Sequence, residues 1–317
     1  FGVFSVPSAI FLLVSVPALC LFLGAGAATP FTPHVSRFTF PVSRFTLLVL
    51  ASLSLSASAL VLSHQSFDPA TFRDDYRGLA RRIAADARPG DAVILDAPNQ
   101  WEVFTYYHRA GAPVYPLPRA RPLAREDTLR ELEQIARDHR RLFVLYWGDG
   151  QADPERVIEN WLIGHTYKVS EEWDGQVRFV VYALPPSDGA PAASNDPPRA
   201  IGAAFGGNFR LERAALPRDL SLHPGDVLAI TLYWSVARLD PQPYKVFLHL
   251  TADASQPPPV QQDSEPNGGL SPTSGWQPGA EYPDKHGLLL PLNLPPGDYQ
   301  LLVGLYDPLT GERLPLT

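Results

Sequence analysis

The chain has 317 residues, of which 45% are hydrophobic and 19% are charged, and its formal net charge at pH 7 is −7. An acidic chain is repelled by a phosphate backbone, so we expect no nucleic-acid partner. The single cysteine, Cys20, excludes an intrachain disulfide and a cysteine-based zinc site.

Two long apolar runs open the chain. Residues 1–28 and 45–62 contain no Asp, Glu or Lys, and a helix of about 20 apolar residues spans a bilayer. We therefore predict two transmembrane helices within residues 1–66. The short loop between them contains Arg37 and Arg44 but no acidic residue, which indicates a cytoplasmic loop. This orientation places the chain from about residue 67 onward outside the cytoplasm, in a multi-pass protein of the plasma membrane.

The first apolar run does not resemble a signal peptide, because it lacks a basic segment. The chain begins at Phe1 and contains no methionine. We interpret it as a fragment that starts inside the penultimate helix of a polytopic membrane protein. A two-helix anchor and a helical hairpin buried in a soluble core are the alternatives.

Residues 67–184 alternate helical and strand patterns. A helix is predicted to start at Asp68-Pro69, because Asp caps helices and Pro suits their first turn. Short apolar runs predict buried strands, and Asp174-Gly175 predicts a hairpin turn. The predicted strands are 92–95, 114–117, 142–147, 167–171 and 177–182, and the later helices are 101–110, 129–136 and 154–162. The pattern favours an extracytoplasmic α/β domain whose mainly parallel sheet ends in an antiparallel hairpin.

A Pro-rich linker is predicted at 185–199, and an all-β sandwich at 200–317. Apolar residues alternate with a period of two in this last part, and no helical pattern interrupts them. Its predicted strands are 209–215, 226–235, 244–251, 286–292 and 299–306. Trp234 is assigned to the core, and Trp276 is expected to hold a loop in place. The complete prediction is a multi-domain fold of transmembrane helices, an α/β domain and a β-sandwich.

Ligands of such α/β sheets bind beyond the carboxyl ends of the strands. Segments 96–102, 116–121 and 147–150 should meet there. Aromatic rings stack on the apolar faces of sugars, and amides bond hydroxyl groups, so these segments suit a sugar or an isoprenyl phosphate. The candidate substrate-binding residues are Gln100, Glu102, Tyr106 and Tyr107. The alternative is that the apolar members belong to the core and the loops are merely solvated.

Familiar catalytic signatures are missing from the sequence. It contains no dinucleotide-binding glycine motif after a strand, no P-loop, no nucleophile elbow and no His-Glu-x-x-His pair. No cofactor is evident from the sequence. A divalent metal remains possible but is not indicated.

Several phrases resemble a known family. Residues 75–95 read DYRGLARRIAADARPGDAVIL, and residues 97–118 read APNQWEVFTYYHRAGAPVYPLP. Together with phrases at 232–250, 268–286 and 294–316, they are similar to the C-terminal part of bacterial GT-C membrane glycosyltransferases. The resemblance is to the dolichyl-phosphate-mannose-protein mannosyltransferase-like group, glycosyltransferase family 39.

The resemblance implies transfer of a sugar from a polyprenyl-phosphate donor to a glycan or protein acceptor outside the cytoplasm. It also implies that the catalytic carboxylate lies in the first extracytoplasmic loop, so that no catalytic residue is carried over to this chain. The expected partners are the lipid-linked donor, the acceptor and the membrane. The alternatives are a membrane-anchored carbohydrate-binding protein and an envelope-assembly protein, both without catalysis.

Overall fold

The computed structural model describes residues 74–184 and 197–317, and before them the single residue Ser56. Apart from Ser56, both predicted membrane helices lie outside these residues, and so do their connecting loop, the Asp68-Pro69 helix start and most of the predicted linker. Within the described part, no helix is both long and apolar enough to cross a bilayer. The described residues 74–184 and 197–317 belong to one compact unit.

The first described stretch alternates helices and strands, as its sequence pattern predicts. Its elements are α1 (Tyr76–Asp86), β1 (Asp91–Asp96), α2 (Trp101–Tyr107), β2 (Val114–Leu117), α3 (Arg125–Asp138), β3 (Arg141–Tyr146), α4 (Asp149–Ala152), α5 (Val157–His165), β4 (Tyr167–Asp174) and β5 (Val177–Ala183).

The second stretch contains strands and short 3₁₀ turns. Its strands are β6 (Arg199–Phe205), β7 (Phe209–Ala215), β8 (Val227–Val236), β9 (Lys245–Thr251), β10 (Val260–Ser264), β11 (Tyr282–Leu289) and β12 (Gln300–Tyr306). Strands β6 and β10 were not predicted from the sequence. The exposed β6 and the polar β10 lack the alternating apolar pattern by which strands are recognised.

Helix α1 begins at Tyr76, where the side chain of Asp75 caps it. The Asp75 side chain accepts a hydrogen bond from the Gly78 amide at 2.9 Å, which satisfies one of the free amides of the first turn. The neighbouring Asp74 accepts a bond from the amide of Gln176, in the turn between β4 and β5, at 2.7 Å. These two carboxylates therefore fix the start of α1 and tie it to the hairpin.

The predicted fold class is wrong. Nine strands form one mixed sheet in the order β2-β1-β3-β5-β4-β11-β8-β7-β6, and β10-β9-β12 form a second sheet. Only β1–β2, β1–β3 and β4–β11 are parallel pairs. The sheet is thus not mainly parallel, and it does not end at the linker to give a separate sandwich. The physical reason is that the β4–β5 hairpin leaves one edge of β4 unpaired, and β11 pairs with that edge.

The pairing of β4 with β11 is accompanied by buried polar contacts. His286 Nε2 lies 2.6 Å from Asp284 Oδ2, and neither residue is exposed. The second oxygen of Asp284 accepts a bond from the Asn267 amide at 2.7 Å. Gln262 Nε2 donates to the Lys168 carbonyl at 2.7 Å. The last of these bonds joins β10 to β4, which are remote in sequence, whereas the first lies within β11 and the second joins β11 to a neighbouring turn.

Apolar clusters cover both faces of the sheet. In residues 74–184, α1 and α2 pack on one face, and α3 and α5 pack on the other. Further along the chain, inward-facing residues of β7, β8 and β11 share a core with the three-stranded sheet. Trp234 and Trp276 are both buried in that core, which confirms the assignment of Trp234. Trp276 also holds its loop, since its indole nitrogen donates to the Ser271 carbonyl at 2.9 Å.

Candidate functional site

A row of large side chains crosses the edge of the sheet where the parallel strands end. Asp96, the last residue of β1, lies in register with Tyr146 on β3. Tyr146 is paired with Arg178 on β5, and Arg178 with Trp173 on β4. Strand alternation places Asp96 on the same face as Ile94, which packs with α3 and α5. The row therefore places an acid, a phenol, a guanidinium and an indole side by side.

Asp96 is the acidic residue of this row, and its environment shifts its pKa. It is 1% exposed, and its Oδ1 has no hydrogen-bond partner among the described residues. Burial, followed by the negative charges of Asp153, Asp149 and Glu159, raises its pKa to about 8, although Arg178 acts in the opposite direction. The carboxyl group is therefore mostly protonated at neutral pH and can donate a hydrogen bond.

Arg178 is engaged by Glu159 of α5. Its two terminal nitrogens each lie 2.7 Å from a carboxylate oxygen of Glu159, and its guanidinium stands 4.2 Å from the ring centre of Tyr146. Burial alone would raise the pKa of Glu159, but the bonds and charges of Arg178 and Arg156 outweigh it and lower that pKa. The positive charge of Arg178 is therefore balanced by the carboxylate of Glu159.

The remaining acids near Asp96 are structural or solvated. Asp153 accepts bonds from the Val157 and Ile158 amides at 2.8 Å each, and so caps α5. This cap explains why α5 begins at Val157 instead of at residue 154. Among the residues that the structure describes, no group of three or more His, Cys, Asp or Glu side chains is arranged to hold a metal ion.

The three predicted segments do meet at this edge. The Trp147 amide donates to the Asp96 carbonyl at 2.8 Å, and Leu117 lies in register with Asp96 on the other side. The sequence located the edge but not the importance of Asp96. The sequence did offer one signal for Asp96, which is a carboxylate at the end of a wholly buried strand. It offered none for the part that Arg178 plays in the row, because that part depends on the register of β5 against β3.

Gln100 is placed in the interior, not on a binding surface. It is 1% exposed. Its amide nitrogen donates to the carbonyls of Ala97 and Leu145, and its amide oxygen accepts a bond from the Tyr76 hydroxyl at 3.1 Å. Gln100 thus ties the start of α1 to β3 and to the start of α2. Its position supports a structural role for this candidate.

The other three candidates, Glu102, Tyr106 and Tyr107, are exposed on α2. The rings of the two tyrosines meet edge to face, with centres 5.0 Å apart. Two further large side chains of this short helix are also exposed. We call these four apolar side chains the aromatic surface of α2; they are Trp101, Val103, Tyr106 and Tyr107.

Two arginines border this surface. The guanidinium of Arg77 lies 5.6 Å from the ring centre of Tyr107, and that of Arg109 lies 5.4 Å from the ring centre of Tyr106. Arg109 Nε also donates to the Tyr106 carbonyl at 3.1 Å. Across residues 74–184 and 197–317, neither arginine forms an ion pair with an acidic side chain. Comparison of the chain with protein-family models and with curated proteins finds no match.

Proposed function

We propose that this chain is the C-terminal part of an integral-membrane glycosyltransferase. The enzyme moves a sugar from a polyprenyl-phosphate donor to an extracytoplasmic acceptor, and its catalytic carboxylate lies outside this chain. The phrases at 75–95 and 97–118 support the proposal through their resemblance to family 39 glycosyltransferases. The structural observation that carries it is the aromatic surface of α2, with Glu102 beside it.

The chemistry of this surface suits a lipid-linked sugar. Aromatic rings such as those of Tyr106 and Tyr107 stack on the apolar face of a pyranose or on isoprenyl units. A carboxylate such as Glu102 accepts hydrogen bonds from sugar hydroxyls. Gln100 contributes indirectly, because its three hydrogen bonds hold the start of α2 in place. These residues are substrate-binding and positioning groups, and none of them is assigned a catalytic role.

The test is sugar transfer by the whole protein that contains this chain, with a polyprenyl-phosphate-linked hexose as donor. Removing both rings, by Tyr106→Ala with Tyr107→Ala, should raise the KM for the donor about tenfold, since each aromatic contact contributes about 0.5–1.5 kcal/mol. Leu239→Ala, at an exposed apolar side chain elsewhere in the chain, is the control. An unchanged KM in the double variant would contradict the assignment of the tyrosines, and absence of any transfer would contradict the glycosyltransferase proposal.

A second candidate function is carbohydrate binding without catalysis. On β9, Leu248 points into the core, so Phe247 and His249 lie on the opposite face of the three-stranded sheet. His249 Nε2 lies 3.2 Å from Asp263 Oδ1, and the guanidinium of Arg313 stands 4.4 Å from the ring centre of Phe247. Phe247 and His249 are 7% and 8% exposed, so only the edges of this mixture of ring and polar groups are open to a glycan. Glycan binding in a whole protein that transfers no sugar would favour this function.

A further inference from the structure

The aromatic surface of α2 is unusually apolar for an exposed helix. The exposed fractions are 42% for Trp101, 41% for Val103, 63% for Tyr106 and 39% for Tyr107, while Phe104 on the opposite side of the helix is fully buried. The helix thus has its core contact and still exposes four large apolar side chains. The periodicity of the helix places Val103, Tyr106 and Tyr107 on one side and Trp101 on another. Large exposed apolar side chains grouped on one short helix mark an interaction site more often than a scattered apolar residue does.

Arginines outnumber acidic side chains around this surface, where Glu102 is the carboxylate of α2 itself, although the chain as a whole is acidic. Arg77 and Arg81 of α1 and Arg109 after α2 are all exposed. The first and third of these lie against the tyrosine rings of the surface, as described above. Tyr and Trp combined with Arg form the interfacial belts of membrane proteins, and exposed basic residues are attracted to anionic lipid headgroups. Both the apolar and the charged components therefore match a lipid surface.

The position of the surface in the chain agrees with this partner. Eleven residues, 63–73, separate the second apolar run from the described part. A chain of that length reaches at most about 40 Å. Along the chain, α1 therefore follows the second apolar run after a short connection. The hydrogen bond between Tyr76 and Gln100 holds the start of α2 beside the start of α1.

We propose that the aromatic surface of α2 docks on the headgroup region of an anionic phospholipid bilayer. Trp101, Tyr106 and Tyr107 enter the interface, and Arg77 and Arg109 pair with lipid phosphates. This inference rests on the membrane location that is part of the proposed function. It deepens that function, because a polyprenyl-phosphate-linked sugar presents its phosphate at the same level of the bilayer.

The test is a depth measurement on the full chain reconstituted in vesicles. An environment-sensitive fluorophore is attached to the cysteine of the Glu102→Cys variant, in which Cys20→Ser removes the native thiol. Labelling at position 102 leaves all four apolar side chains of the surface unchanged. The vesicles contain phosphatidylcholine alone or with 30% phosphatidylglycerol, and brominated lipids serve as quenchers. We expect a blue-shifted emission and at least twofold stronger quenching in the anionic vesicles.

The matched control carries the same label at Glu126→Cys. Glu126 occupies the second position of α3, as Glu102 does in α2, but α3 packs on the opposite face of the sheet. This label should remain in water. Changing Trp101, Tyr106 and Tyr107 to Ser should abolish the quenching at position 102. Changing Arg77 and Arg109 to Gln should remove its dependence on anionic lipid.

Three results would overturn the proposal. One is a label at position 102 that stays in water in both kinds of vesicle, and another is equal quenching at positions 102 and 126. The third is a label shielded equally in detergent without lipid, which would indicate a second copy of the chain or another protein on this surface. Sugar transfer is measured separately, on the whole protein. Docking of this chain together with no transfer by the whole protein would refute the glycosyltransferase alone, and transfer by the whole protein without docking would refute the lipid contact alone.

Discussion

His286 on β11 lies in parallel register with Lys168 on β4, and this is the single pair that links the two strands. Beside it, the contact between His286 and Asp284 is completely buried. Both of these residues belong to β11, so their contact orients the His286 side chain within its own strand and does not itself cross to β4. The two described stretches of the chain are thus parts of one sheet, and the join between them depends on close packing.

Gly287→Ala should weaken this join. A methyl group at this position would lie 2.9 Å from a methyl carbon of Val169 and 3.3 Å from the Tyr167 carbonyl oxygen. Because the neighbouring strand must move, we expect a loss of about 1–3 kcal/mol in the free energy of unfolding. Urea unfolding of the full chain in detergent, followed by tryptophan fluorescence, measures it. Gly275→Ala is the control, since no atom lies within 4 Å of its added carbon, and equal effects of both changes would contradict the prediction.

Asp96→Asn should change how stability depends on pH. The folded-state pKa of Asp96 is raised to about 8, against about 3.9 for an unfolded aspartate. The folded chain therefore retains a proton that the unfolded chain releases. This contribution to stability is fully present below about pH 4 and is lost as the pH rises through 8. Its upper limit is on the order of 5 kcal/mol.

Asparagine stays neutral, so the variant should lack this loss and become more stable than the parent chain at alkaline pH. Urea unfolding of both chains between pH 4.5 and 9 provides the measurement. The two stability curves should diverge with rising pH. Curves that remain parallel across this range would show that Asp96 has an ordinary pKa in the folded chain.

Glu159→Gln should have the opposite pH signature. The pKa of Glu159 is lowered in the folded chain, because its arginine partners outweigh the effect of burial. Its contribution is therefore present above about pH 4.3, the ordinary value for glutamate, and is lost as the pH falls through the lower folded value. At neutral pH the substitution removes both short bonds from the buried Arg178 and leaves its longer contact with Glu171 at 3.6 Å. We expect a loss of about 3 kcal/mol.

Urea unfolding between pH 3 and 7 checks this prediction. The parent chain should lose stability at the acid end, and the Gln variant should lose much less. Glu155→Gln is the matched control, because Glu155 pairs with Arg125 in an exposed contact at 3.3 Å and exposed pairs contribute little. A control variant as unstable as Glu159→Gln would mean that burial of the pair is not the cause.

Local features of the fold were predictable from the sequence alone. Continuous apolar runs located β1, β2 and β3, and the Asp174-Gly175 pair located the turn between β4 and β5. The alternating pattern around Trp234 assigned that side chain to the core, where the structure places it. These predictions succeeded because each depends only on residues that are neighbours in the chain. Their conformational preferences and side-chain periodicity can be read from one short segment.

What the sequence by itself determined is therefore the identity of these elements and the edge at which the candidate residues gather. Only the tertiary structure decided that β4 pairs with β11, that Asp96 retains its proton and that Gln100 is buried while Tyr106 is exposed. Pairing and burial arise between segments that are distant in the chain. The register of those segments, and the desolvation and electrostatic interactions that follow from it, cannot be derived from local periodicity.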